Sequence, residues 1–236
     1  MTSERKLIIA IDGPAGSGKS TIAQHLARKL GYVNLETGAM YRALGVKALE
    51  SGVPLDNEAQ LYELAQRSTI ALDPTPLGNR VLLDGRDVSQ RIRDTDVTDA
   101  ASRVSVHPKV REWMVSHQRE MGKQGGVIME GRDIGTKVFP DADVKIFLDA
   151  KPNVRAQRRV SQVSANDDPN RARQITEQMA QRDRRDSTRT ESPLVPAPDA
   201  VIVDSSHLTI EEVIRRIEEI VDQRLKNASA KAGQNA

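Results

Sequence analysis

Short, continuous runs of apolar residues alternate along the chain with stretches in which apolar residues recur every three or four positions. The continuous runs are typical of strands buried on both faces, whereas the second pattern is typical of amphipathic helices. Strands that alternate with helices predict an α/β fold, in which a parallel sheet is flanked by helices. The predicted strands are 7–11, 33–35, 127–129, 144–148 and 200–203, and the predicted helices are 19–30, 37–49, 58–66, 97–105, 108–122, 152–164, 171–186 and 210–225.

One segment departs from this alternation. Two strand-like runs, 69–72 and 80–83, flank a turn rich in proline and glycine, and Asp84-Gly85 is a dipeptide typical of hairpins. We therefore predict a small antiparallel meander inserted into the parallel fold. At the other end of the chain, residues 227–236 are small and polar, and we predict a disordered tail there.

The segment from Gly13 to Ser20, GPAGSGKS, matches the pattern G-x-x-x-x-G-K-[ST] and lies between the first strand and the first helix. In that setting, successive backbone N–H groups point at an anion, and the helix N-terminus adds partial positive charge. We expect Lys19 to reach the outer phosphates of a nucleotide and Ser20 to ligate Mg²⁺. The predicted ATP-binding residues are Gly13, Pro14, Ala15, Gly16, Ser17, Gly18, Lys19, Ser20 and Thr21.

Polar residues also follow the other predicted strands. Segment 37–42 follows the second strand, 130–133 follows the third, and Asp149 ends the fourth. Because ligands bind at the carboxyl ends of parallel strands, we expect these segments to meet in one crevice. Glu130 ends an apolar strand, as a Walker-B carboxylate does, and we hypothesise that it binds Mg²⁺ through water.

Arginines recur at helical spacing in two places, 155–159 and 182–189. Such a run is commonly a solvated helix face with ion pairs between neighbouring turns. The alternative is a phosphate clamp, because phosphoryl transfer between two nucleotides brings several phosphate charges into one site. The P-loop pattern favours the clamp.

Composition excludes several classes of function. The 236 residues include no cysteine, which excludes disulfides, zinc bound by cysteine and thiol catalysis, and favours a reducing, cytoplasmic setting. The net charge is only +2 and aromatic residues make up 3%, so we expect no nucleic-acid partner. The apolar run near the N-terminus is too short for a signal peptide or a membrane span, so we expect no membrane partner.

Five motifs, taken in order, make the chain resemble the bacterial cytidylate kinase family from about Lys6 to Leu225. They are Ile11 to Lys19, Thr37 to Arg42, Gly131 to Thr136, Phe139 to Ala142 and Pro193 to Ala197. The resemblance implies ATP-dependent transfer of the γ-phosphoryl group to CMP or dCMP, with Mg²⁺ as cofactor and ATP and CMP or dCMP as partners. Nothing in the sequence requires more than a monomer.

The resemblance also implies a P-loop kinase fold built as one domain over 1–226. Its core would comprise 1–40, 106–152 and 186–226, its monophosphate-binding lobe about 41–105, and its mobile lid about 153–185. The resemblance assigns the cytosine edge to Ser102, Arg111 and Asp133. It assigns the monophosphate to Thr37, Tyr41, Arg42 and Arg132, the sugar and phosphate to Arg182, Asp186 and Arg189, and the ATP phosphates to the lid residues Arg155, Arg158 and Arg159. The implied catalytic residues are Lys19, Arg132, Arg155, Arg158 and Arg159.

Physical chemistry agrees with the base-reading assignment. Cytosine presents an amino donor beside two acceptors, which suits a carboxylate and a hydroxyl together with an arginine. Uracil has a carbonyl in place of the amino group, so Asp133 would face an acceptor with an acceptor, at a cost of roughly 1–3 kcal/mol or more. We therefore predict a preference for cytosine over uracil.

Two departures and two alternatives remain. Glu36 stands where the family often has Asp, and Thr37 where some members have Ser, which leaves the preference between CMP and dCMP open. One alternative is a kinase for another nucleoside monophosphate such as UMP. The other is a non-kinase, RNA-associated nucleotide-binding protein, which would release phosphate without an acceptor and for which the scarcity of aromatic residues is unfavourable.

Overall fold

The computed structural model describes residues 6–75, 78–163 and 168–234, with side chains described as far as 226. The bounds of most helices and strands lie within a few residues of the predicted ones. In chain order the elements are β1 Ile8–Asp12, α1 Lys19–Leu30, β2 Val33–Glu36, α2 Thr37–Glu50, α3 Glu58–Gln66, β3 Ile70–Thr75, β4 Gly78–Leu83, β5 Arg86–Asp87, a 3₁₀ turn Arg91–Arg93, α4 Thr95–Val104, α5 Pro108–Gly122, β6 Val127–Gly131, a π-helical turn Ile134–Val138, β7 Val144–Asp149, α6 Pro152–Gln162, α7 Pro169–Thr188, β8 Val201–Asp204 and α8 Ile210–Gln234.

Five strands form a parallel sheet in the order β2-β6-β1-β7-β8, which confirms the predicted doubly wound α/β fold. The register pairs Asp12 with Gly131 and Glu36 with Glu130. The first three strand ends of the prediction are therefore neighbours on one edge of the sheet. This is the edge at which open α/β sheets bind ligands.

Side chains of β1 alternate between two hydrophobic cores. Ile9 and Ile11 lie in a core with residues of α1 and α8, such as Leu26 and Ile217. Ala10 lies in a second core that includes buried residues of α2, α4 and α5. Because both faces of the sheet are covered, its strands are almost entirely apolar, as the continuous hydrophobic runs predicted.

The predicted meander is confirmed as an antiparallel sheet in the order β3-β4-β5. Ile70, Leu72, Val81 and Leu83 point to one face of this sheet and join the second core. The inserted sheet therefore shares its core with α2 and the parallel sheet. Pro76, which lies in the predicted turn, is outside the described residues.

Helix α7 begins at Pro169, two residues before the predicted start. The carboxylate of Asp168 accepts a hydrogen bond from the backbone N–H of Arg171 at 3.1 Å, and Pro169 occupies the first helical turn. Both features are typical of a helix N-terminus. Part of the loop predicted at 166–170 lies outside the described residues.

Helix α8 continues to Gln234 instead of ending at Leu225, so the predicted end of this helix is wrong. Alanines at 228, 230 and 232 have high helix propensity, which extends the amphipathic helix past its last apolar residue. Residues 235 and 236 lie outside the described residues. Within 6–75, 78–163 and 168–234, no helix has both the length and the apolar character that a membrane crossing requires.

Candidate active site

The loop between β1 and α1 has the backbone conformation of an anion-binding loop. Gly13, Gly16 and Gly18 have positive φ values of 149°, 76° and 100°. At Gly13 a Cβ atom would lie 2.0 Å from the carbonyl oxygen of Leu148, so only glycine fits there. Helix α1 begins at Lys19 with no side-chain cap and no acidic residue in its first turn. Its N-terminal amides therefore face the loop, as binding of a phosphate requires.

Lys19 is buried at the centre of this loop. Its Nζ donates to the carbonyl oxygen of Pro14 at 2.7 Å. Burial holds the pKa of Lys19 well below its ordinary value, and the positive charges of Arg132 and Arg182 lower it further, while Glu130 acts in the opposite direction. Added negative charge here would favour the protonated form of Lys19.

Ser20 and Glu130 are in contact beside the loop. The Ser20 hydroxyl donates to Oε2 of Glu130 at 2.9 Å, and Oε1 of Glu130 has no hydrogen-bond partner among the described residues. Burial raises the pKa of Glu130 to about 7, and the charge of Glu36 on the neighbouring strand contributes to this increase. A buried carboxylate oxygen without a partner is costly, so this oxygen is suited to a ligand.

Asp133 lies between two arginines at the other side of the crevice. Arg111 donates from Nη2 to Oδ2 of Asp133, and Nη2 of Arg189 lies 4.0 Å from Oδ1. All three side chains are at least nine-tenths buried. The Arg111 guanidinium also lies over the ring of Tyr41, with its central carbon 5.6 Å from the ring centroid. The structure therefore places Tyr41, predicted to hold the monophosphate, next to Arg111, which is predicted to read the base.

Several buried polar atoms around Asp133 and Asp186 have no hydrogen-bond partner among the described residues. They are Tyr41 Oη, Ser102 Oγ, Arg111 Nε, Arg182 Nε and Arg189 Nη2. Each such atom costs about 1–3 kcal/mol when it stays unpaired, and native proteins contain few of them. All five belong to residues that the sequence predicted to bind substrate. This part of the crevice is therefore built for a polar ligand.

Asp186, in α7, connects this helix to Arg132, the residue that follows β6. Arg132 donates from Nε to Oδ2 of Asp186 at 2.8 Å, and Arg182 and Arg189 lie at 4.0 and 3.9 Å. Burial alone would raise the pKa of Asp186, but the charges of these three arginines outweigh it and hold the pKa below its usual range. Asp186 is thus ionised and fixes the orientation of Arg132.

The cations of the site lie close enough to repel one another. Burial lowers the pKa of Arg182 to about 10, with further contributions from Arg132 and Arg42. Burial and the charge of Arg42 also lower the pKa of Arg159. Lys19 belongs to the same group of charges, because Arg132 and Arg182 also lower its pKa. Concentrated positive charge of this kind is suited to several phosphate groups.

Two residues predicted to hold the monophosphate have protein partners. The Thr37 hydroxyl donates to the backbone carbonyl of Glu130 at 2.8 Å. Arg42 forms an ion pair with Glu36 through Nη2 and Oε1. In these conformations Thr37 joins α2 to β6, and the charge of Arg42 is partly neutralised. The Nε and Nη1 donors of Arg42 are not used in this ion pair.

The three lid arginines are directed to three different places. Arg155 is buried and donates to the carbonyl of Ala15 in the P-loop at 3.2 Å and to Asp183 at 2.6 Å. Arg159 lies near enough to Arg42 for the charge of Arg42 to lower its pKa. Arg158 instead donates to the hydroxyl and the carbonyl of Ser205, at 3.0 and 2.7 Å. The loop after β8 therefore holds the Arg158 guanidinium in this conformation, and its contact with the ATP phosphates stays a prediction.

Arg158 lines a cavity of about 560 Å³ between the P-loop, α6 and the loop after β8. Gly18, Thr21, Gln157 and Leu208 also line it, as does Ser205. Sequence reasoning did not include Gln157, Ser205 or Leu208 in the site. The signal for Ser205 was present, because it lies two residues after the fifth predicted strand and so at the same edge of the sheet as the other motifs.

Known proteins similar to this chain agree with its fold and motifs. A family model described as cytidylate kinase matches residues 9–223. A cytidylate kinase of Geobacillus kaustophilus (strain HTA426) is 49% identical over 222 residues, covering 94% of this chain and 99% of the relative. A cytidylate kinase of Solibacter usitatus (strain Ellin6076) is 47% identical over 228 residues, covering 96% of this chain and 97% of the relative.

Among solved structures, an uncharacterized protein from Eubacterium ventriosum ATCC 27560 is 14% identical with a TM-score of 0.50, covering 92% of this chain and 99% of that one. At this identity the likeness shows the fold alone. The family match and the full-length relatives carry the stronger conclusion. This chain, with its P-loop and its buried Asp133 cluster, belongs to the cytidylate kinase family.

Proposed function

We propose that this protein transfers the γ-phosphoryl group of ATP to CMP or dCMP and releases ADP with CDP or dCDP. The observation that carries the proposal is the set of unpartnered buried polar atoms around Asp133, at the same sheet edge as the P-loop. A polar base on one side and a nucleotide triphosphate on the other would bring two phosphate chains together among the arginines. Family membership supports the same reaction.

We propose that Ser102, Arg111 and Asp133 read the cytosine edge. Ser102 Oγ and Arg111 Nε are buried without partners, and the Asp133 carboxylate lies between Arg111 and Arg189. The cytosine amino group would donate to Asp133, while Arg111 and Ser102 would donate to the base acceptors. Uracil would oppose a carbonyl to the Asp133 carboxylate, and this supports discrimination between the two bases.

We propose that the adenosine part of ATP occupies the cavity of about 560 Å³ that Arg158, Ser205 and Leu208 line. This cavity adjoins Gly18 and Thr21, so its occupant would lie next to the P-loop amides. The guanidinium of Arg158 offers a flat cationic surface on which an adenine ring can stack. In this proposal Arg158 acts on the nucleoside of ATP, while Arg155 acts on the phosphates.

The reaction requires no general base, because the acceptor atom is already an anionic phosphate oxygen. What the protein supplies is alignment of the two substrates, neutralisation of charge and exclusion of water. Lys19, Arg132 and Arg182 are buried or half-buried around the proposed position of the transferring group. Their mutual repulsion would be relieved when phosphates bind, so the site favours the doubly occupied state.

The residues around Ser20 fit a magnesium ion. The described residues contain no group of three or more His, Cys, Asp and Glu side chains that could hold a metal without other ligands. Mg²⁺ characteristically binds through one or two protein oxygens together with substrate phosphates. Ser20 and Oε1 of Glu130 would supply or orient such ligands, and the ion would neutralise charge on the ATP phosphates.

The glutamate hypothesis has its own test. We expect Glu130→Gln to require more Mg²⁺ for half-maximal rate, because the amide cannot orient a metal-bound water as a carboxylate does. An unchanged Mg²⁺ dependence of the rate would show that Glu130 has no part in holding the metal.

Every residue proposed here belongs to one chain, so a monomer would be sufficient for the reaction.

The proposed function is tested by mixing the purified protein with ATP, Mg²⁺ and one nucleoside monophosphate at a time. We expect rapid ADP formation with CMP and dCMP, slow formation with UMP and little without an acceptor. Equal ADP release in the absence of any acceptor would show a hydrolase instead of a kinase. Preferred use of another monophosphate would retain phosphoryl transfer and refute the assignment of Ser102, Arg111 and Asp133.

A further inference from the structure

We propose that Asp12 is a positioning residue that couples the ATP-binding loop to the base-reading segment. Asp12 is the last residue of β1 and directly precedes the P-loop. It is buried, and both oxygens of its carboxylate accept hydrogen bonds from the backbone of the turn that follows Asp133.

The contact is bidentate and uses both carboxylate oxygens. Oδ1 accepts from the backbone N–H of Ile134 at 2.8 Å, and Oδ2 accepts from the backbone N–H of Gly135 at 2.7 Å. Hydrogen bonds from N–H groups to a charged acceptor are about twice as strong as neutral ones. Since each oxygen already faces a backbone donor, Asp12 is better suited to holding this backbone than to ligating a metal or accepting a catalytic proton.

The turn depends on Asp12 because its own hydrogen bonds do not include these two amides. In the π-helical turn 134–138, the carbonyl of Asp133 accepts from Lys137 at 2.8 Å and from Val138 at 3.2 Å. The N–H groups of Ile134 and Gly135 lie at the start of the turn, where no carbonyl of the turn can reach them. Both residues are buried, so water does not replace the carboxylate.

These hydrogen bonds fix the distance between the proposed binding sites of the phosphoryl donor, ATP, and of the phosphoryl acceptor, CMP. Asp12 is covalently linked to Gly13, the first residue of the P-loop, while Ile134 is covalently linked to Asp133. The pair of hydrogen bonds therefore ties the loop proposed to hold ATP to the residue proposed to read cytosine. A misplacement of about 1 Å between reacting groups can cost about 10²-fold in rate.

Burial raises the pKa of Asp12 to about 6, whereas the two backbone N–H groups act in the opposite direction. The cost of burying this carboxylate is thus only partly offset by its hydrogen bonds. An apolar side chain would be sufficient at this position if the residue served only to end β1 and pack in the core. This supports a role for the carboxylate in fixing the turn, a role that rests on the proposed function for its catalytic effect.

The test is Asp12→Asn, which keeps the shape of the side chain but places an NH₂ group against one of the two backbone N–H groups. We expect kcat/KM for CMP to fall at least tenfold while the dissociation constant of ATP, measured by calorimetry without acceptor, changes less than threefold. We also expect the ratio of kcat/KM for CMP to kcat/KM for UMP to fall, because Asp133 would lose its fixed position. A purely structural role would not change that preference.

Asp143→Asn is the matched control. Oδ2 of Asp143 accepts from the backbone N–H of Ile8 at 2.9 Å, at the opposite end of the same strand. We expect this variant to lose stability and to keep kcat/KM for CMP within threefold. If Asp12→Asn behaves like Asp143→Asn, or if ATP binding weakens in parallel with CMP use, the coupling role of Asp12 is refuted.

A second variant and a second measurement cover the case in which Asp12→Asn does not fold. Gly135→Ala places a Cβ atom 3.4 Å from Oδ2 of Asp12 and 3.2 Å from the Lys145 side chain, and so disturbs the same contact from the other side. We expect the same narrowing of base preference. Hydrogen exchange of the Ile134 and Gly135 amides should accelerate at least tenfold in either variant.

The exchange measurement separates this proposal from the proposed function. If the wild-type protein does not phosphorylate CMP, the proposed function fails while protection of these two amides still reports on the contact. If the wild type phosphorylates CMP and the amides stay equally protected in Asp12→Asn, the positioning role fails by itself.

Discussion

Replacing Asp133 with asparagine should change base preference more than it changes catalysis in general. The Asp133 side chain is 7% exposed and that of Arg111, its ion-pair partner, is 4% exposed. Asparagine keeps the shape but loses the charge that would accept from the cytosine amino group. Its NH₂ group can donate to the uracil carbonyl that the carboxylate opposes.

The magnitude follows from the kind of hydrogen bond that is lost. Hydrogen bonds to charged groups contribute about 1.5–3 kcal/mol, and a factor of ten in rate corresponds to about 1.4 kcal/mol. We therefore expect kcat/KM for CMP to fall roughly 10- to 150-fold, while kcat/KM for UMP stays constant or rises. The ratio of the two values should fall at least tenfold.

The same substitution removes one partner of a buried ion pair, which typically costs about 3–5 kcal/mol in the free energy of unfolding. Kinetics must therefore be measured well below the melting temperature of the variant. Asp73→Asn serves as control, since Asp73 pairs with Arg80 in the small sheet where both side chains are about half exposed. Such pairs contribute about 1 kcal/mol or less, so we expect unchanged kinetics.

The assay is ADP formation with CMP and with UMP over a range of concentrations for the wild type and both variants. An equal fall for CMP and UMP in Asp133→Asn would refute the reasoning, because it would mean that Asp133 supports the site without contacting the base. Loss of activity with the Asp73 variant would mean that the assay reports stability instead of recognition.

Three further predictions concern the P-loop, the buried glutamate and the close approach beside Thr37. Lys19→Met should lower kcat/KM roughly 10²- to 10³-fold, because it removes one charged donor near the transferring group. A thermal melt should show an intact fold. A value of kcat/KM within tenfold of the wild type would contradict this role. Glu130 has a pKa raised to about 7 in the folded protein, above its ordinary value, so the native state binds more protons than the unfolded state between about pH 4.5 and 7. The stability of the wild type relative to Glu130→Gln should therefore fall as pH rises through this range, and urea unfolding at several pH values would disprove the assignment if the difference stayed constant. Gly131→Ala should lower the free energy of unfolding by about 1–3 kcal/mol, because a Cβ atom would lie 2.6 Å from Thr37 Oγ1 and 2.7 Å from Ile134 Cδ1. A loss below about 0.5 kcal/mol in the same urea assay would mean that the neighbouring side chains move aside at little cost.

The sequence determined the layout of the fold and the ATP-binding loop. Short continuous apolar runs are typical of buried strands, and the pattern GPAGSGKS between a strand and a helix is typical of a phosphate-binding loop, so both were predictable from local information. The resemblance to a known family added the acceptor-site residues, which no spacing rule could have connected. Arg111 lies on α5, 22 residues before Asp133 in sequence, and only folding pairs the two side chains.

The tertiary structure decided which charges meet. Side-chain partners such as Ser205 for Arg158 and Asp183 for Arg155 depend on packing between segments that are distant in sequence. The three arginines predicted to lie in the lid therefore look equivalent in sequence, although their partners differ. The two hydrogen bonds of Asp12 to a turn more than a hundred residues away are of the same kind. Local sequence pattern specifies which segments become strands and helices. Only the folded chain specifies that the Asp12 carboxylate, at the end of β1, binds the backbone that follows the neighbouring strand β6.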